Sequence, residues 1–252
     1  MLVKQAANVL DLLEYFATRQ QPATLAEISL HFGWPRSSTF NLLGTLSERG
    51  FLYEPASRGS FYPTPRWRAL AEAVAGAEPL PQVVQDLLEE VWRATNETTV
   101  ILAPMGPHAV FLETIESRQA VRYSAYSGKL VPIHTTASGQ ALLSLLPEAE
   151  RKILLRKISY PAYTKTSLTD AQEVEAAVKA GIKRGWFESV GGFTADLGGI
   201  AVPISYPDRR LAILVGGPID RVRPRYAALA KIIQQAMQKL GLPRAGQPAR
   251  KP

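Results

Sequence analysis

Residues 24–53, TLAEISLHFGWPRSSTFNLLGTLSERGFLY, read as a helix, a tight turn, a second helix and the start of a strand. Thr24 and Glu27 have the spacing of a capping box, in which each side chain satisfies the other residue's backbone N–H, and the apolar Leu25, Ile28 and Phe32 follow at helical spacing. Gly33 then breaks the helix. Pro35 cannot continue a helix but fits the first turn of a new one, so the second helix begins near it and carries Leu42, Leu43 and Leu46 inward. Gly50 stops that helix. The order predicts a winged helix-turn-helix.

Arg36, Ser37, Ser38, Thr39 and Asn41 crowd the first turns of the second helix, where a recognition helix offers donors to phosphates and to base edges in the major groove. Taken singly, each has a plainer reading: Ser and Thr at a helix start, Thr24 included, are usually caps, and a lone Arg is usually a solvated charge. Beyond Gly50, FLYEPASRGSFYPTP places two short aromatic runs around Pro55, Arg58 and Gly59, the pattern of a hairpin with a basic tip. That hairpin would be the wing. Arg58, with Arg66 and Arg68 just beyond, is a candidate for phosphate or minor-groove contact, or an ordinary surface arginine. The candidate DNA-binding set is therefore Thr24, Arg36, Ser37, Ser38, Thr39, Asn41 and Arg58.

A chain of 252 residues with 46% hydrophobic content suits two cores better than one. No apolar run approaches the ~20 residues of a membrane span, and the opening MLVKQAANVLDLLEYFATR is amphipathic rather than a signal peptide, so a cytoplasmic protein is expected. The absence of cysteine removes disulfides, thiol nucleophiles and thiolate metal sites together. A net charge of +7 invites a nucleic-acid reading, yet through residue 68 seven basic residues face five acidic ones. The motif must carry that reading alone.

A first helix is expected over about residues 4–19, with Val9, Leu10, Leu12, Leu13 and Phe16 on one broad face. Past the wing, PRWRALAEAVAGAEPLP reads as a helix stopping near Gly76 and Pro79, and a further helix runs over about Val83 to Ala94. The expected organisation is a DNA-binding domain over 1–66, a linker helix over 67–80, a second domain over 81–242 and a disordered tail over 243–252. Apolar Leu70, Val74, Leu87, Leu88, Val91 and Trp92 suit a dimer surface or plain core. In the second domain TTVILAP, AVFLETI and AVRYSAY read as consecutive antiparallel strands. Helices follow over about Thr136–Leu146, Glu148–Ile158 and Thr169–Arg184, then GIAVPIS and LAILVGG as buried central strands, and RPRYAALAKIIQQAMQKLG as a closing amphipathic helix. The fold class is α+β with one mixed or antiparallel sheet.

The chain resembles the IclR family of bacterial transcriptional regulators over nearly its whole length. AEISLHFGWPRSSTFNLLGTLSERGFL is similar to the family's recognition unit. SGKLVPIHTTASGQALLSLL is similar to its step from a Pro-apolar-His strand through a small-residue turn to a helix, and RGWFE, GGIAVPIS and GGPIDR to its closing strands. The resemblance implies winged heads that bind a near-palindromic operator as a dimer or tetramer. It also implies a GAF-like or PAS-like effector domain holding a small metabolite, often a carboxylate. Thr135-Thr136-Ala137-Ser138-Gly139, opening a helix, would offer free N–H groups and the positive end of the dipole, or simply a capped helix start. By resemblance, the amides of Ala137 and Ser138 bind the carboxylate and Tyr123, Val131 and Leu197 form walls.

The chain departs from the family's pattern at Ser189, where several relatives carry an acid, and at Gly199, where they carry Cys or Ser. The usual acidic pair appears as Gly191-Gly192, with Asp196 able to restore a polar contact from a neighbouring position, and Leu214-Val215-Gly216-Gly217-Pro218 replaces a Ser-rich strand. A roomier, more apolar pocket is expected, suited to an aromatic carboxylate rather than a two- or three-carbon keto acid. In the head, Asn41 stands where relatives often have Arg and Phe40 where they have His or Tyr; Asn pairs bidentately with adenine.

An enzyme reading has little to stand on. His31, His108 and His134 lack the short-spaced partners of a metal site, Ser138-Gly139 is not a nucleophile elbow, and no cofactor or metal is expected. A winged helix serving as a protein-interaction module without DNA remains the alternative. The polar first turn of the recognition helix weighs against it, since a protein interface would favour aromatic or aliphatic anchors.

Overall fold

The computed structural model describes residues 3–55, 59–77 and 80–243, in two compact units divided between residues 79 and 80. Arg58 and residues 244–252, expected as wing tip and tail, lie outside the described residues.

In the first unit, α1 (Lys4–Arg19) buries Leu12 and Phe16 against Ile28 of α2 (Leu25–Phe32) and Leu43 and Leu46 of α3 (Arg36–Glu48). The capping box is present: Glu27 N donates to Thr24 Oγ1 at 3.3 Å, and Thr24 N donates to Glu27 Oε2 at 2.8 Å. Gly33 closes α2 at φ +64°, a left-handed conformation that glycine adopts without strain. The wing is a small antiparallel sheet in which β3 (Ser60–Pro63) pairs with β2 (Leu52–Tyr53) and with β1 (Ala23–Thr24). α4 (Arg66–Ala77) follows, anchored by Trp67, whose indole donates to Phe51 O at 2.9 Å.

The second unit is built on a six-stranded antiparallel sheet of order β6-β5-β4-β9-β8-β7. Its strands are β4 (Thr98–Met105), β5 (His108–Ile115), β6 (Leu130–Pro132), β7 (Phe187–Val190), β8 (Leu197–Tyr206) and β9 (Arg209–Pro218). Both faces are covered. Ile101, Ile200, Val202, Ile204, Ile213 and Val215 point to one side, against α5 (Gln82–Thr95) and α10 (Tyr226–Lys239). Val100, Leu102, Ala201, Ala212 and Leu214 point to the other, against α6 (Ala137–Ser144), α7 (Glu148–Lys157) and α8 (Ala171–Arg184). Burial on both sides explains why GIAVPIS and LAILVGG read as unbroken apolar runs rather than alternating ones. A short α9 (Ile219–Val222) leads into α10.

One expected strand is absent. Residues 120–126, AVRYSAY, join no ladder, and β6 takes the place beside β5. The segment's backbone groups find side chains instead: Thr98 Oγ1 donates to Tyr123 O at 2.6 Å, Arg221 to Val121 O at 3.0 Å, and Ala125 N donates to Glu116 Oε1 at 2.9 Å. Aromatic and β-branched composition marked a segment that packs, not one that pairs.

The helical layer over α6 is locked by Arg151, which grips Glu175 bidentately at 2.8 and 2.8 Å and donates to Leu146 O at 3.1 Å; the two side chains are only 5% and 15% exposed. Removing one member strands the other charge in a dry site. Glu175→Ala is therefore expected to lower unfolding free energy by about 3 kcal/mol in denaturant titration, and Arg151→Met with Glu175→Leu to recover most of that loss. Equal losses in the single and double variants would refute the account.

Candidate functional site

In the head, Thr39 and Asn41, both candidate DNA contacts, separate. Thr39 is 1% exposed, accepts from Ser29 Oγ at 3.0 Å and donates to Pro35 O at 3.1 Å. It ties α3 to α2 and cannot reach a duplex, because its place on the helix faces the core with Leu43 and Leu46. Thr24 is occupied as the cap of α2. Arg36, Ser37, Ser38 and Asn41 are all exposed, Ser37 and Asn41 on the side of α3 opposite Thr39, with no side-chain bond among the described residues. Phe40 joins them at 64% exposure. Beyond the wing, Arg66 lies over the Phe51 ring at 4.9 Å and Arg68 pairs with Glu72 at 3.4 Å, which occupies both.

In the body, Thr136 caps α6: its hydroxyl accepts from Gly139 N at 3.2 Å and donates to Pro132 O at 2.8 Å. The amides of Ala137 and Ser138, the first two of the helix, take no acceptor among the described residues. Both residues line a cleft of about 60 Å³ at the face of the sheet. Of the expected effector contacts, Tyr123, Val131, Ser189, Leu197 and Gly199 line it too. Asp196 does not: it lies exposed outside the cleft, its carbonyl accepting from Ile219 N at 3.0 Å at the start of α9. The expected polar compensation from that carboxylate is absent.

Phe111, Phe193, Thr194, Leu214 and Gly216 complete the lining, together with Thr136 and Gly198. No charged side chain is among the described lining residues, so any bound anion meets amides and hydroxyls only. Ser189 donates its hydroxyl to Thr135 O at 3.0 Å, and Tyr226 donates to Ser189 O at 2.8 Å. Burial pushes the Tyr123 phenol up to about 12, so it stays protonated and remains a donor.

The glycine-rich positions do not enlarge the cleft as expected. A Cβ on Gly216 would stand 3.1 Å from the Tyr123 ring, and one on Gly199 3.0 Å from Leu214. Tyr123 and Leu214 fill the space that larger residues would take. Gly192 has a different duty: a Cβ there would lie 2.5 Å from Thr135 O, so only glycine lets the loop after β7 dock on the approach to α6. Thr135 and Ser167 both donate to Gly192 O, and Thr164 to Gly191 O, holding Phe193 and Thr194 at the rim. Sequence patterning signals neither Phe193 nor the loop's docking, because the hydroxyls that clamp it come from residues 25 or more positions away.

His134 lies behind this site, against Tyr160 and Tyr163, at 3.4 Å from Pro161 O. Burial lowers its basicity, so the ring is neutral near pH 7 and acts as a packing and hydrogen-bonding group. Among the described residues no cluster of three or more His, Asp or Glu could hold a metal ion.

The winged head and the cleft-bearing α+β body define a DNA-binding regulator with a small-molecule domain. Residues 5–55 match the IclR helix-turn-helix domain, and residues 73–242 match the description "Bacterial transcriptional regulator IclR C-terminal". The chain belongs to the IclR family of bacterial transcriptional regulators. It is 27% identical over 249 residues to the HTH-type transcriptional regulator XynR of Escherichia coli, covering 98% of both chains. The crystal structure of Thermotoga maritima IclR superimposes with a TM-score of 0.78 at 17% identity, over 94% of this chain and 97% of that one. An IclR homologue from Microbacterium hydrocarbonoxydans, crystallised with 4-hydroxybenzoate, gives 0.70 at 22% identity, over 94% and 97%.

The irregular segment bearing Tyr123 is held to the body by Glu116, which accepts from Arg122 Nε at 2.8 Å, Ser124 Oγ at 2.9 Å and Ala125 N. The Arg122 guanidinium and these donors lower the Glu116 carboxyl from an ordinary 4.5 to about 2. A depressed carboxyl contributes stability in full above its unfolded value and loses it as pH falls. The strap is therefore expected to loosen between about pH 4.5 and 2, and Glu116→Gln to flatten that part of the melting-temperature profile. An unchanged acid limb in the variant would refute it.

Proposed function

We propose that this regulator binds operator DNA as a dimer or dimer of dimers through Arg36, Ser37, Ser38 and Asn41, and that an aromatic carboxylate entering the body's cleft changes that binding. The observation that carries the effector reading is the pair of unpartnered amides on Ala137 and Ser138 at the N-terminus of α6, lining a cleft with no charged wall. Two aligned N–H groups and the helix dipole favour a carboxylate.

The rings of Phe111, Tyr123 and Phe193 favour a flat, aromatic body behind that carboxylate, and the 4-hydroxybenzoate in the Microbacterium homologue supports the same chemical class. Val131 and Leu197 add apolar wall. On α4, the exposed Leu70 and Val74, 48% and 67% accessible and one turn apart, support pairing of two copies. The protein would act in the cytoplasm, where its operator is; no described helix is long and apolar enough to cross a membrane.

Thermal melts with benzoate, 4-hydroxybenzoate and glyoxylate test the effector class: an aromatic acid at 100-fold over its Kd should add about 2.7 kcal/mol of stability. Absence of any shift from the aromatic acids would overturn it. On DNA, Asn41→Ala is expected to relax discrimination at one base pair by about 1–3 kcal/mol, while Arg36→Ala weakens all sequences alike. Equal losses on selected and random duplexes for both variants would refute the residue assignments.

A further inference from the structure

Phe40 lies 64% exposed on a helix whose remaining outward groups are polar. At about 100° per residue, Thr39, Leu43 and Leu46 mark the inward side of α3, and Ser37, Asn41 and Gly44 the outward side. Phe40 stands on the shoulder between them, one turn after Arg36 and one turn before Gly44. The ring touches no aromatic partner among the described residues, unlike Phe32, which stacks on Trp34 at 4.2 Å. A Cβ on Gly44 would meet nothing within 4 Å, so the helix surface one turn beyond Phe40 is open.

An exposed benzyl group is costly in water, and a helix seated in a major groove meets almost only polar surface: phosphates, sugar edges, and the donors and acceptors of the bases. The one apolar group on that floor is the C5-methyl of thymine. We infer that Phe40 is a base-reading residue that packs on a thymine methyl beside the adenine engaged by Asn41. An A·T-rich half-site offers both partners, since the amide of Asn41 pairs with adenine N6 and N7 while the thymine of the same or the adjacent pair presents its methyl group. The inference rests on the proposed DNA-reading role of α3 and adds what that helix reads.

The test uses the full-length protein. Selection from a random duplex library yields the preferred sequence, and each of its thymines is then replaced singly by deoxyuridine, which keeps the pairing and O4 and removes only the methyl. Binding of the wild type is expected to weaken about fourfold at one thymine of each half-site, the worth of one buried methyl-sized group. Phe40→Ala should bind the two duplexes equally, Phe40→Leu should keep part of the preference, and Arg36→Ala should keep all of it. Phe40→Ala should melt with the wild type, because its side chain supports no core. A selected sequence with no methyl-sensitive thymine, or a Phe40→Ala variant as methyl-sensitive as the wild type, overturns the inference alone. Selection of no sequence overturns the operator-reading role together with it.

Discussion

The carbonyl oxygen of Ile133 stands 2.1 Å from where a Cβ on Gly139 would be, and the regulatory body is arranged around that approach. Because residue 139 has no side chain, the first turn of α6 presses onto Ile133, the residue after β6, whose N–H is itself held by Pro107 O at 3.0 Å. Thr136 then bonds back to Pro132 while capping Gly139. Any larger residue at 139 would push the helix away from backbone, which cannot yield as a flexible side chain does. The result is a helix N-terminus buried against a sheet, with its two leading amides taking no acceptor among the described residues.

Around that start, strands β5 to β9 supply most of the cleft wall, and two segments with no regular structure of their own add Tyr123, Phe193 and Thr194. The strap through Tyr123 is fastened by Glu116 and Thr98, and the Gly191-Gly192 loop by Thr135, Thr164 and Ser167. Hydroxyl and carboxylate bonds replace ladder bonds in both. Such fastenings satisfy buried backbone groups without forcing the pleat of a strand, and they leave the rings of Tyr123 and Phe193 lining the cleft. Beneath them, both faces of the sheet are packed.

The head was legible in the sequence to a degree the body was not. Capping box, glycine stop and proline start are local signals, each resting on backbone geometry within one turn, and Thr24, Gly33 and Pro35 stand in the roles their spacing implied. The side of a helix is a longer-range property. Thr39 and Asn41 have the same polar character in the sequence, and only the packing of α2 against α3, through Ser29, separates the inward one from the outward one. Likewise AVRYSAY has strand composition, but whether a strand pairs depends on which neighbour occupies the sheet edge, and β6 occupies it. The glycines of β8 and β9 read as lost side chains and a larger cavity; the fold fills that volume with Tyr123 and Leu214.

The sequence by itself determined the order of elements, the winged head, the two-faced burial of the central strands and the small-residue opening of α6, because each follows from spacing and local conformation. Tertiary structure decided which hydroxyls face solvent, that Asp196 lies outside the cleft while Phe111 and Phe193 line it, and how much space remains. Those outcomes depend on contacts between residues tens to about a hundred positions apart, and no periodicity along the chain encodes which of two similar side chains will meet a partner there.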